Sequence, residues 1–405
     1  MINNYILNVS DSVKWIGVLD KDLLTFDIVM ETKYGTTYNS YFIDADKKAI
    51  VETVKENFAN EYLNKIKALC NPAEIQYIIM NHTEPDHSGS LKHLLKIAPN
   101  ATVVGTGQAL NYLSEMIDFQ FNSLKVKDGD VLDLGNKKIR FIHAPNLHWP
   151  DTMYSYLEEE AILFTCDSFG AHFCHNAMFD DLTGDYSDAF KYYFDVILKP
   201  FSKFMLSAIE KIKPLKINTI CTGHGPILRS TWKEKVELSE KYSKEYVNIT
   251  KQEKKNNILI AYVSAYGYTK LMAEKISEGI KSEGNFNIEI VDIEHILLGE
   301  LEEKLVRNDA ILIGSPTINQ NTLLPIYKLF ALINPIRDRG KLAGVFGSYG
   351  WSGEATKLIE NHLKNLKLNV IETLSLKFFP YSEKMKNTYE YGKTFAKELQ
   401  KNFSY

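Results

Sequence analysis

Four side chains able to bind a metal ion fall within the six residues His82-Thr83-Glu84-Pro85-Asp86-His87. A solvated polar loop would draw mainly on Ser, Asn, Gly and Lys, so this density of ligand types points to metal chemistry. The apolar run at 75–80 just before it reads as a buried strand, which would deliver the four groups to a strand end. Pro85 is expected to forbid a continuing helix and hold the loop turned. Three further ligand types each follow another β run: His148 in His148-Trp149-Pro150-Asp151, Asp167 in Cys166-Asp167-Ser168, and His224 in Thr222-Gly223-His224. Four histidines and three carboxylates are too many for one four-coordinate ion. They divide over two ions with one carboxylate between them. His172 follows the last acid closely and reads as a group that orients ligands or supplies a donor. Tyr192 and Tyr193 lie on a helical stretch that could face the cavity, and of the two Tyr193 is chosen as the candidate beside His172. His93 and His143 read as structural, and Trp149 as packing that excludes water.

A second constellation lies further on. Ser264-Ala265-Tyr266-Gly267-Tyr268-Thr269 joins a strand to a helix, where backbone N–H groups and the Ser264 and Thr269 hydroxyls can cradle a phosphate. It has neither the Gly-x-Gly-x-x-Gly of a dinucleotide site nor the Gly-Lys-Ser/Thr of a P-loop. Two more loops follow neighbouring strands. One carries Pro316, Thr317, Ile318 and Asn319, the other Ser348, Tyr349, Gly350, Trp351 and Gly353. In an open parallel sheet such loops converge at the carboxyl ends of the strands, where ligands bind. Tyr349 and Trp351 could flank a flat ring there.

The elements that must position these groups fall into two patterns. Residues 1–250 are rich in short β runs: 13–18, 38–43, 102–105, and hairpins over 131–141 and 152–165. Helical spacing marks 47–69, 91–97 and 189–212, and a last β run covers 217–221. Lys251-Gln252-Glu253-Lys254-Lys255-Asn256 is a charged break. Residues 257–405 then alternate strand and helix, with strands at 258–263, 288–291, 310–314, 342–347 and 368–374, which implies a doubly wound five-stranded parallel sheet. The 405 residues, 45% hydrophobic and 24% charged, suit a two-domain globular protein, and the net charge of −4 gives no reason to expect nucleic acid or an anionic membrane. No membrane span or signal peptide is evident, so a cytoplasmic enzyme is expected. Cys70, Cys166, Cys174 and Cys221 are scattered, without Cys-x-x-Cys, which argues against a disulfide framework, a zinc ribbon or a rubredoxin-type iron site here.

With His148, Asp167 and His224, the 82–87 string resembles the metallo-β-lactamase superfamily, whose first motif is His-x-His-x-Asp-His. Glu84 stands where that motif has its second histidine. A carboxylate there adds charge and hard oxygen, favouring iron or manganese over zinc. This variant, together with His148-Trp149-Pro150-Asp151, resembles the flavodiiron proteins, also called A-type flavoproteins. The three loops of the second domain are similar to flavodoxin, implying FMN with its phosphate at 264–269 and its ring between the other two loops. The resemblance implies an αββα sandwich at 1–250 followed by a flavodoxin-like domain at 257–405. It implies one iron on His82, Glu84 and His148, another on Asp86, His87 and His224, and Asp167 bridging them. His87 is the least secure ligand, because its counterpart is turned away in some members.

The implied function is a gas reductase that passes electrons through FMN to the diiron site, reducing O2 to water, NO to N2O, or both, as detoxification in an anaerobe or microaerophile. The electron donor is expected to be a separate rubredoxin or a reduced deazaflavin. The resemblance also implies a head-to-tail homodimer, or a dimer of such dimers, placing one subunit's flavin beside the other's irons. The main alternative is a dizinc hydrolase with an appended flavodoxin; a further one is a non-catalytic electron carrier with a vestigial metal site.

Overall fold

The computed structural model describes residues 5–26, 30–251, 256–335, 337–378 and 382–402. The chain divides into two compact units, Met1–Val247 and Asn248–Tyr405. Of the charged break at 251–256, residues 252–255 lie outside the described residues. No described helix is long and apolar enough to cross a membrane.

The first unit is built on two sheets. One has seven strands in the order Leu7–Asn8, Val13–Trp15, Tyr41–Ile43, Lys48–Val51, Ile75–Ile79, Thr102–Gly105, Asn122–Lys125. The other has five: Val131–Asp133, Lys138–His143, Met153–Leu157, Ile162–Cys166, Thr219–Thr222. Val13, Tyr41, Ile79 and Val104 of the first sheet meet Phe141, Met153 and Phe164 of the second in one buried cluster. The outer face of the first sheet, at Ile50 and Ile78, packs against helices Ala59–Leu69 and Leu91–Ile97. The outer face of the second, at Ile142 and Leu163, packs against Ser187–Tyr193 and Ser202–Ile212. This is an αββα sandwich. Ile78 and Ile79 point to opposite faces, both covered, and that is why the strand before the ligand loop reads as an unbroken apolar run.

Several local expectations are corrected. Residues 47–69 are not one helix: Lys48–Val51 is a strand and the helix begins at Ala59. Val51 packs between the sheets while Val54, Tyr62 and Ile66 pack on the helical side, so burial from two layers imitated a helical spacing. The β runs at 13–18 and 38–43 each break in two, and Val18–Asp20 pairs with Thr36–Tyr38 apart from the main sheet. The helical region at 189–212 is interrupted by a π turn at Phe194–Leu198 and a tight turn at Lys199–Phe201, where Pro200 cannot supply the helical N–H. Pro85 does not forbid a helix. It opens the short helical turn Pro85–Ser88, where its missing N–H has no intrahelical role.

The second unit is a parallel sheet in the order Asn287–Asp292, Asn257–Tyr262, Ala310–Gly314, Leu342–Tyr349. The fifth strand expected at 368–374 is in two pieces, Asn369–Val370 and Leu374–Lys377, both on Leu342–Tyr349. This 2-1-3-4-5 order is that of flavodoxin-like doubly wound folds, with its switch point between the first and third strands. Helices Leu298–Arg307 and Ser382–Asn402 were not anticipated from the sequence.

Candidate metal centre and flavin edge

All seven metal-ligand candidates of the first unit converge beyond strand ends. Glu84 Oε2 lies 3.2 Å from His82 Nε2 and 2.9 Å from His148 Nε2. Asp86 Oδ2 lies 3.3 Å from His87 Nε2 and 3.1 Å from His224 Nε2. Asp167 stands between the two groups and turns one oxygen to each. Its Oδ2 is 3.5 Å from His82 and 3.8 Å from His148, and its Oδ1 is 3.2 Å from His87 and 3.5 Å from His224. The ligand atoms form two clusters, His82–Glu84–His148–Asp167 and Asp86–His87–His224, each gathered within 4.8 Å. Both Asp86 oxygens and Asp167 Oδ2 are buried without a hydrogen-bond partner. Buried carboxylate oxygens left this way are costly unless a cation meets them, so the donor set fits two metal ions. His87 faces inward here.

Residues the sequence did not single out hold this arrangement. Glu52, buried and at a φ of 61°, accepts the backbone N–H of Asn81 at 2.6 Å and of His82 at 3.2 Å through Oε1. Asp151 Oδ2 accepts from Thr83 N at 2.9 Å and Thr83 Oγ1 at 2.8 Å, while its Oδ1 faces His82 Nδ1 at 3.4 Å. His224 Nδ1 sits 2.6 Å from the Thr37 carbonyl oxygen. Asp151 lies in the His148-Trp149-Pro150-Asp151 string, a signal that could have marked it. Glu52 and Thr37 had none, because their roles depend on sheet pairing.

Charge is concentrated here. Burial alone would push Asp167 up, but His87, His82 and His148 hold it well below the usual carboxylate range. Burial likewise opposes protonation of His82 and His87, yet the facing carboxylates win. His82 stays well above its ordinary value, and Asp86 and Asp167 lift His87 to about 10. Protons on these imidazoles thus occupy the electrostatic role that cations would fill. Burial pushes Glu52 up to about 8.

Tyr193 is fully buried and its hydroxyl donates to Asp167 Oδ1 at 3.2 Å, whereas Tyr192 stands 36% exposed. The π turn begins directly after Tyr193. His172 Nδ1 lies 2.9 Å from Thr36 Oγ1, its Nε2 has no partner, and it lines a cavity of ≈ 740 Å³ with Tyr34, Asp188 and Tyr192. Trp149 stands edge-on to His82 with ring centroids 5.2 Å apart. His93 pairs with Glu56 away from the site, at 2.9 Å. All four cysteines are free.

In the second unit the flavin candidates occupy three neighbouring strand ends. Gly267, at a φ of 83° with open space where a Cβ would be, turns the chain into helix Tyr268–Lys281 as an N-cap residue with no side chain of its own. Ser264 Oγ accepts from Lys270 N at 3.3 Å, and buried Thr269 reaches Ser348 Oγ at 3.4 Å. Thr317 N donates to Ser348 O at 2.9 Å, while Ile318 and Asn321 close a tight turn in which Asn319 takes a φ of 53°. Pro316 lies on the same segment. Ser348 and Tyr349 end a strand rather than begin a loop, so the third turn is only Gly350-Trp351-Ser352-Gly353. Tyr266 and Trp351 are 82% and 80% exposed, an unusual state for large aromatics. With helix N-terminal amides for a phosphate and exposed aromatics for a ring, these residues fit FMN.

Residues 36–225 match the model of the ODP family beta lactamase, and residues 260–392 that of flavodoxin. The chain is 40% identical over 400 residues to flavo-diiron protein FprA2 of Clostridium acetobutylicum, covering 97% of this chain and 99% of that protein. The chain belongs to the flavodiiron protein family. It is 37% identical over 397 residues to type A flavoprotein fprA of Rhodobacter capsulatus, covering 96% of this chain and 91% of that one. Its fold superposes on rubredoxin oxygen:oxidoreductase from the anaerobe Desulfovibrio gigas with a TM-score of 0.70 at 25% identity, over 99% and 100% of the two chains. The flavodiiron protein of Giardia intestinalis gives 0.68 at 28%, over 98% and 97%. As a flavodiiron protein the chain is an oxidoreductase whose cofactors are FMN and a pair of irons. These relatives do not favour the hydrolase alternative.

Proposed function

We propose that this flavodiiron protein reduces O2 to water, NO to N2O, or both, with electrons from a separate donor, a rubredoxin or a reduced deazaflavin. The observation that carries the reading is Asp167, with one oxygen turned to each of two buried ligand clusters. His82, Glu84 and His148 would hold one iron and Asp86, His87 and His224 the other. Residues 264–269, 316–319 and 348–353 would hold FMN, and the working boundaries are 1–250 and 257–405.

When bound, two irons and one flavin would together supply the four electrons that reduction of O2 to water takes, twice what coupling two NO molecules needs. The chain's own residues do the positioning. Asp151 and the Thr37 carbonyl orient the rings of His82 and His224. Burial and nearby Asp167 hold the Tyr193 phenol well above its usual value, so it keeps its proton and stays a donor beside the bridging carboxylate. Trp149 walls His82 from water. The protein is expected to act as a head-to-tail homodimer, because the two cofactors belong to separate units of one chain.

The deciding experiment is anaerobic stopped-flow oxidation of the fully reduced enzyme by O2 and by NO in separate runs, with products measured. Rapid oxidation of flavin and iron, with water or N2O as product, is expected. Slow flavin oxidation that releases peroxide, or zinc without iron in metal analysis, would sink the proposal.

A further inference from the structure

The clustered histidines are not all held alike. The outer nitrogens of His224 and His82 meet oxygen, the Thr37 carbonyl at 2.6 Å and Asp151 at 3.4 Å. His87 is different: its Nδ1 meets sulfur, Cys166 Sγ, at 3.6 Å. Glu52 joins that floor, with its carboxylate, the thiol and the imidazole mutually within 4.8 Å and all three residues buried. On another side of the ring, a Cβ at Gly223 would stand 2.8 Å from His87 Cε1, closer than real side chains approach. Cys166 itself takes a φ of 50°, a conformation that a non-glycine residue holds only when its surroundings enforce it. That turn sets the sulfur against one edge of the His87 ring and, one residue later, Asp167 against the other.

We propose that Cys166 and Gly223 form a cradle that keeps His87 turned into the cluster, which makes Cys166 a positioning residue for the ion held by Asp86, His87 and His224. The proposal rests on the reading that His87 is a ligand. A histidine bound through Nε2 must offer Nδ1–H to an acceptor, and the buried, neutral Cys166 sulfur is the one that faces it. Sulfur accepts weakly, so the inward state of His87 depends more on steric fit than those of His82 and His224. Gly223 provides that fit by leaving the volume of the ring free.

The test is anaerobic Fe(II) titration of the metal-stripped full-length chain, with Mössbauer spectra of the loaded protein. Cys166→Ala should weaken one of the two binding equivalents by on the order of 10- to 100-fold and change the spectrum of one iron only. Cys166→Ser should restore much of the loss, and Gly223→Ala should mimic it. In a His87→Ala background, Cys166→Ala should have no further effect. Retained FMN and an unchanged other equivalent rule out unfolding. Parental binding by Cys166→Ala, or an equal loss in both backgrounds, overturns the cradle. If His87→Ala itself leaves both equivalents and the spectrum unchanged, the ligand assignment fails first and the cradle with it.

Discussion

The metal centre and the flavin edge solve opposite problems. At the metal centre nearly every group is buried, and several are held by a partner remote in sequence: Asp167 by His87 and Tyr193, His82 by Asp151, His224 by Thr37. At the flavin edge the groups of interest are exposed aromatics, a left-handed glycine and the amides of a helix N-terminus. A pair of small, highly charged ions needs many convergent donors in a dry site. A flat ring with a phosphate tail needs free surface and backbone N–H groups. One region should therefore fail cooperatively when a single residue is lost, and the other by small increments.

The largest effect is expected at the shared carboxylate. Asp167→Ala should weaken both iron equivalents by more than about 100-fold while FMN content stays at the parental level, read by metal analysis and flavin absorbance. One iron still held at parental affinity would show two independent sites. An intermediate effect should come from pH. His87 stands near 10 in the metal-free fold against an ordinary 6.5, so its stabilising contribution is complete below 6.5 and lost as pH rises toward about 10. Glu52, raised from 4.5 to about 8, acts in the same direction over its own lower window. Denaturant titrations of the metal-stripped protein should show stability falling through these windows, and metal uptake at neutral pH should expel protons. A flat profile would mean the carboxylates do not hold protons on the histidines. The smallest effect is expected at Trp351. Trp351→Ala should weaken FMN by about 2- to 10-fold, as loss of one aromatic stacking contact does, with iron content untouched. A loss of 100-fold or more would mean the flavin edge is as cooperative as the metal centre.

The candidate ligands stood out because their chemistry lies in residue type: His82, Glu84, Asp86 and His87 are dense in a short string, and the later three each follow a β run. The doubly wound half was legible because strand and helix alternate with clean periods. What stayed hidden depends on partners remote in sequence. Glu52 looks like any helical glutamate until Lys48–Val51 pairs with Ile75–Ile79 and sets its carboxylate under Asn81 and His82. Residues 47–69 misled because layers on both sides of a strand bury residues at intervals that look helical. The helix Ser382–Asn402 was missed although its packing on Tyr268–Lys281 is extensive.

The strand ends that carry the ligands also order events during synthesis. His82 and His224 belong to different sheets, and the cluster that holds Asp86 is incomplete until Thr219–Thr222 has paired beside Ile162–Cys166. A nascent chain therefore cannot assemble the second cluster until almost the whole first unit has left the ribosome and its two sheets have closed. Complete loading of the pair of clusters is thus tied to closure of the first unit's two sheets, so metal content reports on that closure.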